Sequence, residues 1–549
     1  MVLAVVFLLF LQGPFFKHNL SLGSASTICL SSGTGLSGQL FPGLLTQTRA
    51  HTKMDTLEAG VLLLLCLFFL ILFSSFKMYK KKGQLPPGPT PWLFLGNLLQ
   101  KDVMPLDKFY PKLVQKYGPI FTIWMGPKPA VVLCGYEVVK DALVDHSEVF
   151  GGRSPLPISK RVTKGQGLAI QKDAKWRDLR RFTLSTLRDF GMGKKSMSER
   201  VQEEALCLVK HITAAIQGKT FDLQKCIRNA ASNVLCSVVI GSRFDYQNET
   251  VAGHLCIAEQ LASLFQSYTG MLYSSFSQMM DYLPGPHQKV FADCKKLQAY
   301  IREEVKSHSQ TLDPENPRDY IDCFLIKLEK EKTSCELIYN QEDIVMSVFG
   351  LFVAGSSTTS NALNFGIFLM ARLPHIQAKV QEEINEVIGI SRPPKMEDRM
   401  RMPFTNAVVH EVQRHMRLNP ENFSRCTTCC TEFRGFTIPQ DTVIIPHLTS
   451  VHFDPLMWET PQEFNPAHFL DEKGQFKKKD AFMPFSAGKR ACPGEALAHM
   501  ELFLFFTTLL QNFHFQLVGE ATDIDLFSSF NSYRNQNLKL PIQATKRLL

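Results

Sequence analysis

Nowhere in the 549 residues is there a Gly- or Pro-rich tract, an internal repeat, or a dense block of Lys and Arg interleaved with aromatics. The first absence argues against a disordered linker between domains, which would need a stretch too poor in apolar residues to collapse. The second argues against a solenoid or propeller. The third makes nucleic acid a poor partner, since the formal net charge of +9 is modest and spread along the chain. The 14 cysteines are scattered singly rather than set in regular pairs. A body of this size needs no disulfides, so a reducing compartment is expected. What is present is ordinary for a globular protein, with 45% hydrophobic and 20% charged residues. The length exceeds the roughly 100 to 200 residues of a common domain, and one large folded body is the expectation.

Residues 59–76 form an uncharged run of 18, AGVLLLLCLFFLILFSSF, close to the roughly 20 needed to cross a bilayer core. Lys77, Lys80, Lys81 and Lys82 follow at once and act as a cytosolic stop. Residues 54–82 are therefore expected to be a transmembrane anchor with a basic stop. Upstream, 1–53 is an extension of open status. Its apolar segment at 2–12 resembles a signal, but no basic residue precedes it. A cleaved signal, a lumenal extension and translation from upstream of Met54 all leave the body in the cytosol. Residues 83–92 contain LPPGPTP, whose four prolines fix φ and forbid helix continuation, which predicts a stiff hinge. The folded body is expected at 93–549.

Between about residues 135 and 420 apolar residues recur at three- and four-residue spacing, as at 201–216 and 376–388, which predicts helices. Short runs at 120–124, 131–134 and 442–445 read as strands. The fold class is mainly α with minor β-sheets, a single large domain behind one N-terminal transmembrane helix.

The densest chemistry lies at 485–494, FSAGKRACPG, which joins Phe485, Gly488, Arg490, Cys492 and Gly494. Gly488 permits a tight turn close to a flat ligand, and Pro493 suits the first position of a helix beginning after Cys492. A cysteine at such a helix start has its thiolate favoured by the dipole and by Arg490. A buried, unreactive thiol is the ordinary reading for each of the other cysteines. The order Phe, x, x, Gly, x, Arg, x, Cys, x, Gly resembles the haem-binding loop of the cytochrome P450 family, in which this cysteine is the axial ligand of the haem iron.

Three further segments carry the resemblance. Glu411 and Arg414 in HEVQR lie one helical turn apart. In the family such a pair locks the core beneath the haem, with a partner segment at 461–469 in which His468 stands where many relatives carry Arg. Trp176 and Arg180 in WRDLR lie four apart and direct two donors to one side, enough to hold a carboxylate. In the family this pair grips a haem propionate, and by resemblance Arg153, Arg425 and Arg490 join it. LFVAGSSTTS at 351–360 resembles the oxygen-activating helix, in which Ala354 and Gly355 open a groove and Thr358 aids proton delivery. Gly355 should weaken the helix by roughly 1 kcal/mol against Ala. The position before the threonine usually holds an acid, and here it is Ser357, whose hydroxyl cannot store charge as a carboxylate does.

The resemblance spans residues 85–545 and is closest to cytochrome P450 family 2. It implies a monooxygenase with haem b, which inserts one oxygen atom from O2 into lipophilic xenobiotics, fatty acids or steroids. It also implies electrons from NADPH by way of NADPH-cytochrome P450 reductase, with cytochrome b5 a further partner, and a place in the endoplasmic reticulum membrane with the catalytic domain facing the cytosol. Lys172, Lys175, Arg177, Arg181 and Lys489 are candidates for a docking face toward the acidic reductase. Substrate contacts are expected from the segment after Arg153, from 264–282, from Phe349 and Val353, from 421–424 with Glu421 as a polar anchor, and from 527–531. A reductase-independent, peroxide-rearranging enzyme and a non-catalytic haem carrier are the competing readings, and the second has no need of Ala354, Gly355 and Thr358. The CxxC formed by Cys426 and Cys429, with Cys430 beside it, lacks a second ligand pair at suitable spacing and is not read as a zinc site.

Overall fold

The computed structural model describes residues 85–154, 156–216, 222–332, 339–417, 424–518 and 542–547, together with six positions between 61 and 76. The expected span at 59–76 and its basic stop lie mostly outside the described residues, and 1–53 lies wholly outside them. Among the described residues no helix is long and apolar enough to cross a membrane, so the expected transmembrane helix is not seen. The chain divides into two compact units, Met1–Phe69 and Leu70–Leu549. Of the first, Val61, Leu65, Phe68 and Phe69 are described, all helical and exposed. Everything below belongs to the second.

The helices that position the site are, in chain order, α1 (Asp173–Asp189), α2 (Lys195–Ile216), α3 (Leu223–Val239), α4 (Tyr268–Met280), α5 (Pro286–Gln310), α6 (Gln341–Arg372), α7 (Pro374–Val387), α8 (Pro403–His415) and α9 (Glu495–Asn512). The periodic segments at 201–216 and 376–388 fall in α2 and α7. Both α7 and α8 begin with Pro, whose missing N–H would have had no intrahelical partner there. The longest helix, α6, starts at a reciprocal cap. The Asn340 side chain accepts from the Asp343 N–H at 3.1 Å, and the Asp343 carboxylate accepts from the Asn340 N–H at 3.0 Å.

Two apolar cores divide α6 between them. Its first half, through Ile344, Val348 and Phe352, packs with α5 and the C-terminal end of α3. Its second half, through Leu363, Phe365 and Leu369, packs with α2, α7, α8 and α9. The stretch between them is the polar turn Ala354–Ser360, so the hydroxyls sit where neither core claims the helix.

Strands β1 (Ile120–Met125), β2 (Lys128–Leu133), β3 (Gly152–Arg153), β4 (Arg425–Cys426) and β5 (Val443–Pro446) form one sheet in the order β1-β2-β5-β4-β3. The three runs read as strands from sequence fall largely in β1, β2 and β5. The edge pairing of β3 with β4 is antiparallel and sets Arg153 directly across from Arg425. Like charges in that register repel unless something negative stands between them.

Candidate active site

The loop before α9 is closed by the Cys492 N–H donating to the Phe485 carbonyl at 2.9 Å. Phe485 stands edge-on to His499 of α9, with ring centres 5.0 Å apart. Gly488 has φ of +70°, and a Cβ there would collide with the Leu143 carbonyl oxygen. The glycine is therefore demanded by a neighbouring loop, not only by a tight turn near a ligand. The helix begins at Glu495 with Gly494 as its N-cap, so Pro493 lies before the helix and not at its first position. Cys492 is one residue further out, which weakens the dipole argument made from sequence.

Although Cys492 is exposed at its surface, desolvation by the surrounding protein raises its thiol above the ordinary value, and Glu495 adds to this, while the Gly494 N–H and Arg180 pull the other way. The cation that bears on the sulfur is thus Arg180, not Arg490 as the spacing suggested. Arg180 also donates to the Ala491 carbonyl at 2.6 Å.

Arg490 instead lies on the face of Trp176, its guanidinium carbon 3.5 Å from the ring centre, with Arg180 at 5.8 Å from the same ring. Arg425 donates to the Ser486 hydroxyl at 3.0 Å, and Arg153 reaches the Ser424 carbonyl at 3.4 Å. Arg490 donates to the Gly151 and Gln171 carbonyls at 3.1 and 3.0 Å. Two cations thus share one indole, Arg490 and Arg180, and Arg153 and Arg425, paired across β3 and β4, are close enough to repel them. Among the described residues none of them pairs with an acid. Arg153 Nε, one terminal nitrogen of Arg425 and one of Arg490 are buried without a hydrogen-bond partner. Burial and mutual repulsion lower their proton affinity, to about 10 for Arg153 and about 9 for Arg490, and well below the ordinary value for Arg425. Orphaned buried donors on crowded cations call for anionic oxygens, and a pair of carboxylates from a flat ligand fits them.

On α6, Ala354 and Thr358 are exposed on a helix whose neighbouring residues are mostly buried, and the Thr358 hydroxyl donates to the Ala354 carbonyl at 2.7 Å. Gly355 has a second reason beyond leaving a groove: a Cβ there would lie 2.8 Å from Leu235 Cδ2 of α3. Ser357 is buried and turned away, its hydroxyl bonded back to the Val353 carbonyl at 3.1 Å. Thr358 is exposed where Ser357 is buried.

Beneath this, Glu411 and Arg414 form a bidentate pair with both contacts at 2.8 Å and neither side chain exposed. His468 Nδ1 lies 3.2 Å from Glu411, so the histidine fills the arginine position with a polar contact to the same acid. Burial pushes the Glu411 carboxyl up, but the hydrogen bonds from Arg414, His415 and His468 outweigh it and hold it well below the usual range.

Other expectations are redistributed. Lys175 is tied to Asp343 at 2.9 Å and serves the start of α6, with 29% of its side chain still exposed. Lys489 pairs with Glu148, and Arg181 with Asp178. Lys172 and Arg177 remain exposed. Phe349 is a core residue at 2% exposure, while Val353 is half-buried. Glu421 and 527–531 lie outside the described residues. Sequence reasoning missed Ser486, which has no signal beyond its place in the loop, and Glu501 of α9, an acid within an otherwise apolar run.

A lone cysteine at a loop-to-helix junction, a cage of unpaired arginines and a hydroxyl-bearing helix define a haem-thiolate enzyme. Residues 86–538 match the Cytochrome P450 family model. The chain is 46% identical over 476 residues to cytochrome P450 2C20 of Macaca fascicularis, covering 86% of this chain and 96% of that one. It is likewise 46% identical over 469 residues to cytochrome P450 2C8 of Homo sapiens, covering 85% and 96%. The chain belongs to the cytochrome P450 family and is family 2-like. It is a haem b monooxygenase of lipophilic substrates, supplied with electrons from NADPH by the reductase.

Proposed function

We propose that Cys492 Sγ is the axial ligand of the haem iron and that Arg153, Arg180, Arg425 and Arg490 hold the propionates against Trp176. The observation that carries this is the set of buried, unpartnered guanidinium nitrogens on Arg153, Arg425 and Arg490, together with Arg180 bearing on the exposed Cys492. When bound, the haem supplies oxygen activation, so that one atom of O2 enters the substrate and the other leaves as water. The protein's own residues position and protonate. The small Ala354 leaves the α6 face open. The Thr358 hydroxyl must swing from the Ala354 carbonyl to present its proton to that face. Glu411, Arg414 and His468 hold the floor rigid beneath Cys492.

The domain division we propose is 1–53 extension, 54–82 anchor, 83–92 hinge and 93–549 catalytic domain, in the endoplasmic reticulum membrane with the body toward the cytosol. Trp92, Leu93 and Phe94 are exposed, and Phe94 stacks on Phe276 of α4 at 4.8 Å. Tyr268, the first residue of α4, and Tyr282, two residues past its end, are exposed at 67% and 90%. Aromatics left open in this way support membrane association of the body itself. Lys172 and Arg177, with the exposed Arg181 and Lys489, are the cations for docking the reductase and cytochrome b5.

The test is the absorption spectrum of the reduced, carbon monoxide-bound protein. A thiolate-type Soret band that Cys492→Ser abolishes is expected. A band at the position of histidine-ligated haem would end this reading, and turnover of a lipid hydroperoxide without NADPH would redirect it.

A further inference from the structure

The short helix Pro157–Thr163 and α5 border a cavity of about 280 Å³, lined by none of the residues placed at the site above. Its floor is apolar and comes from both elements: Val162, Phe291 and Cys294 are all buried. The buried Gln298 side chain ties the two walls together by donating to the Val162 carbonyl at 2.9 Å. The space is therefore held by packed backbone and not left between loose surface side chains.

The cavity is also lined by four cations, Arg161, Lys164, Lys295 and Arg302, and by no acid. Arg302 is answered from outside by Glu342 in the first turn of α6, with contacts of 3.1 and 2.5 Å. Arg161 has a looser contact with Asp281 at 3.6 Å. Lys164 and Lys295 are exposed, and neither meets an acid among the described residues. Their neighbour Lys296 does find one, Asp293 at 2.8 Å, and it does not line the cavity. Lys164 caps the C-terminus of the short helix with φ of +53°, a left-handed position where glycine or asparagine is usual.

Four cations against two acids leave an excess of positive charge over an apolar floor, which draws an anion into the space between them. That combination suits an amphiphile, with a carboxylate among the lysines and methylenes on the floor. Pockets that enclose a whole ligand run to roughly 300–1,000 Å³, so this one takes the head and first methylenes of a chain and not a compact ring system. The floor residues belong to the core that also holds Phe349 and Phe352 of α6, and Val353, next to Ala354, packs on it. The cavity and the open face of α6 thus share one apolar body.

We propose that this cavity is a recognition site for lipophilic acids, in which Lys164 and Lys295 hold the carboxylate of a fatty acid and Val162 and Phe291 carry the start of its chain. It selects acids among the lipophilic substrates of the haem-thiolate enzyme described above, and it rests on that reading. No bond is made or broken in the cavity, which sets affinity and decides which end of the chain is held.

The test compares dodecanoic acid with its methyl ester, which keeps the chain and removes the charge, as substrates of the full-length holoenzyme in phosphatidylcholine vesicles. The acid should have the lower KM by about tenfold, as two exposed charge contacts allow. In the double variant Lys164→Gln/Lys295→Gln this preference should vanish, through the KM of the acid and not its kcat. High salt should do the same to the native protein. Lys164→Arg and Lys295→Arg should keep the preference, and Lys296→Gln should behave as native. Equilibrium dialysis of labelled dodecanoate needs no turnover and should give the same order of affinities, so failure of the thiolate reading, seen in the carbon monoxide spectrum, is distinguishable from failure here. Equal KM for acid and ester in the native protein, or an acid preference that survives the double change, overturns the proposal. So does weaker retention of the double variant on phosphatidylserine vesicles with dodecanoate affinity unchanged, which would assign the cavity to a phospholipid head group.

Discussion

Arg414 and the group Arg153, Arg425 and Arg490 all have guanidinium nitrogens shut off from solvent yet are built on opposite plans. Arg414 meets an acid on one side and three backbone carbonyls on the others, those of His452, Pro461 and Glu463 at 2.7, 2.8 and 2.9 Å. Phe453 and Trp458 cover its faces. The other three have backbone and hydroxyl contacts but no acid among the described residues, and each keeps an unpartnered nitrogen. The contrast shows that burial alone does not tell a structural arginine from a binding one. What separates them is whether the chain provides the countercharge. The same holds for acids: Glu411 sits beside its cation, and Glu501 has none.

The contrast is sharpest in the Glu411→Ala variant, which leaves Arg414 charged, buried and unpaired and should cost about 3–5 kcal/mol. Chemical denaturation of the haem-free protein measures this, and a loss under about 1 kcal/mol would erase the distinction drawn here.

Next is Glu501. Its folded proton affinity, about 8, lies above the ordinary carboxyl value of 4.5, so its stabilising share is full below that ordinary value. That share is lost as pH rises through the folded one. Glu501→Gln should thus be more stable than the native protein by a few kcal/mol above pH 8 and differ little in acid. Thermal unfolding at both pH values decides it, and equal melting at alkaline pH would refute the neutral-acid description.

Arg425→Leu should leave the haem-free protein as stable as before or raise it by about 1–2 kcal/mol, because a repelled, desolvated cation is removed. Haem affinity should fall at least tenfold. A destabilisation matching that of Glu411→Ala would place Arg425 with Arg414 instead. The smallest effect is expected at His468, where Gln can keep the bond to Glu411 and the change should stay within about 1 kcal/mol.

Much of the site can be read along the chain where function is carried by spacing. The run from Phe485 to Gly494, the turn Glu411 to Arg414 and the turn Trp176 to Arg180 are local, and helical or loop periodicity brings their members together without help. The helices at 201–216 and 376–388 and the strands near 120, 131 and 442 were equally local matters of period. The reasons behind some residues were not. Gly488 answers to the carbonyl of Leu143, and Gly355 to the side chain of Leu235. Lys175 answers to Asp343, some 168 positions away. No periodicity encodes such contacts.

What the order of residues alone settled is therefore the identity of the chemistry: a thiol set in a Gly- and Arg-bearing loop, and a hydroxyl turn in an apolar helix. Folding settled which charges go unanswered. The meeting of β3 with β4 places Arg153 against Arg425, and the packing of α9 into the apolar core buries Glu501. Charge state depends on distance and on excluded water, and both exist only once elements far apart in the chain are packed together.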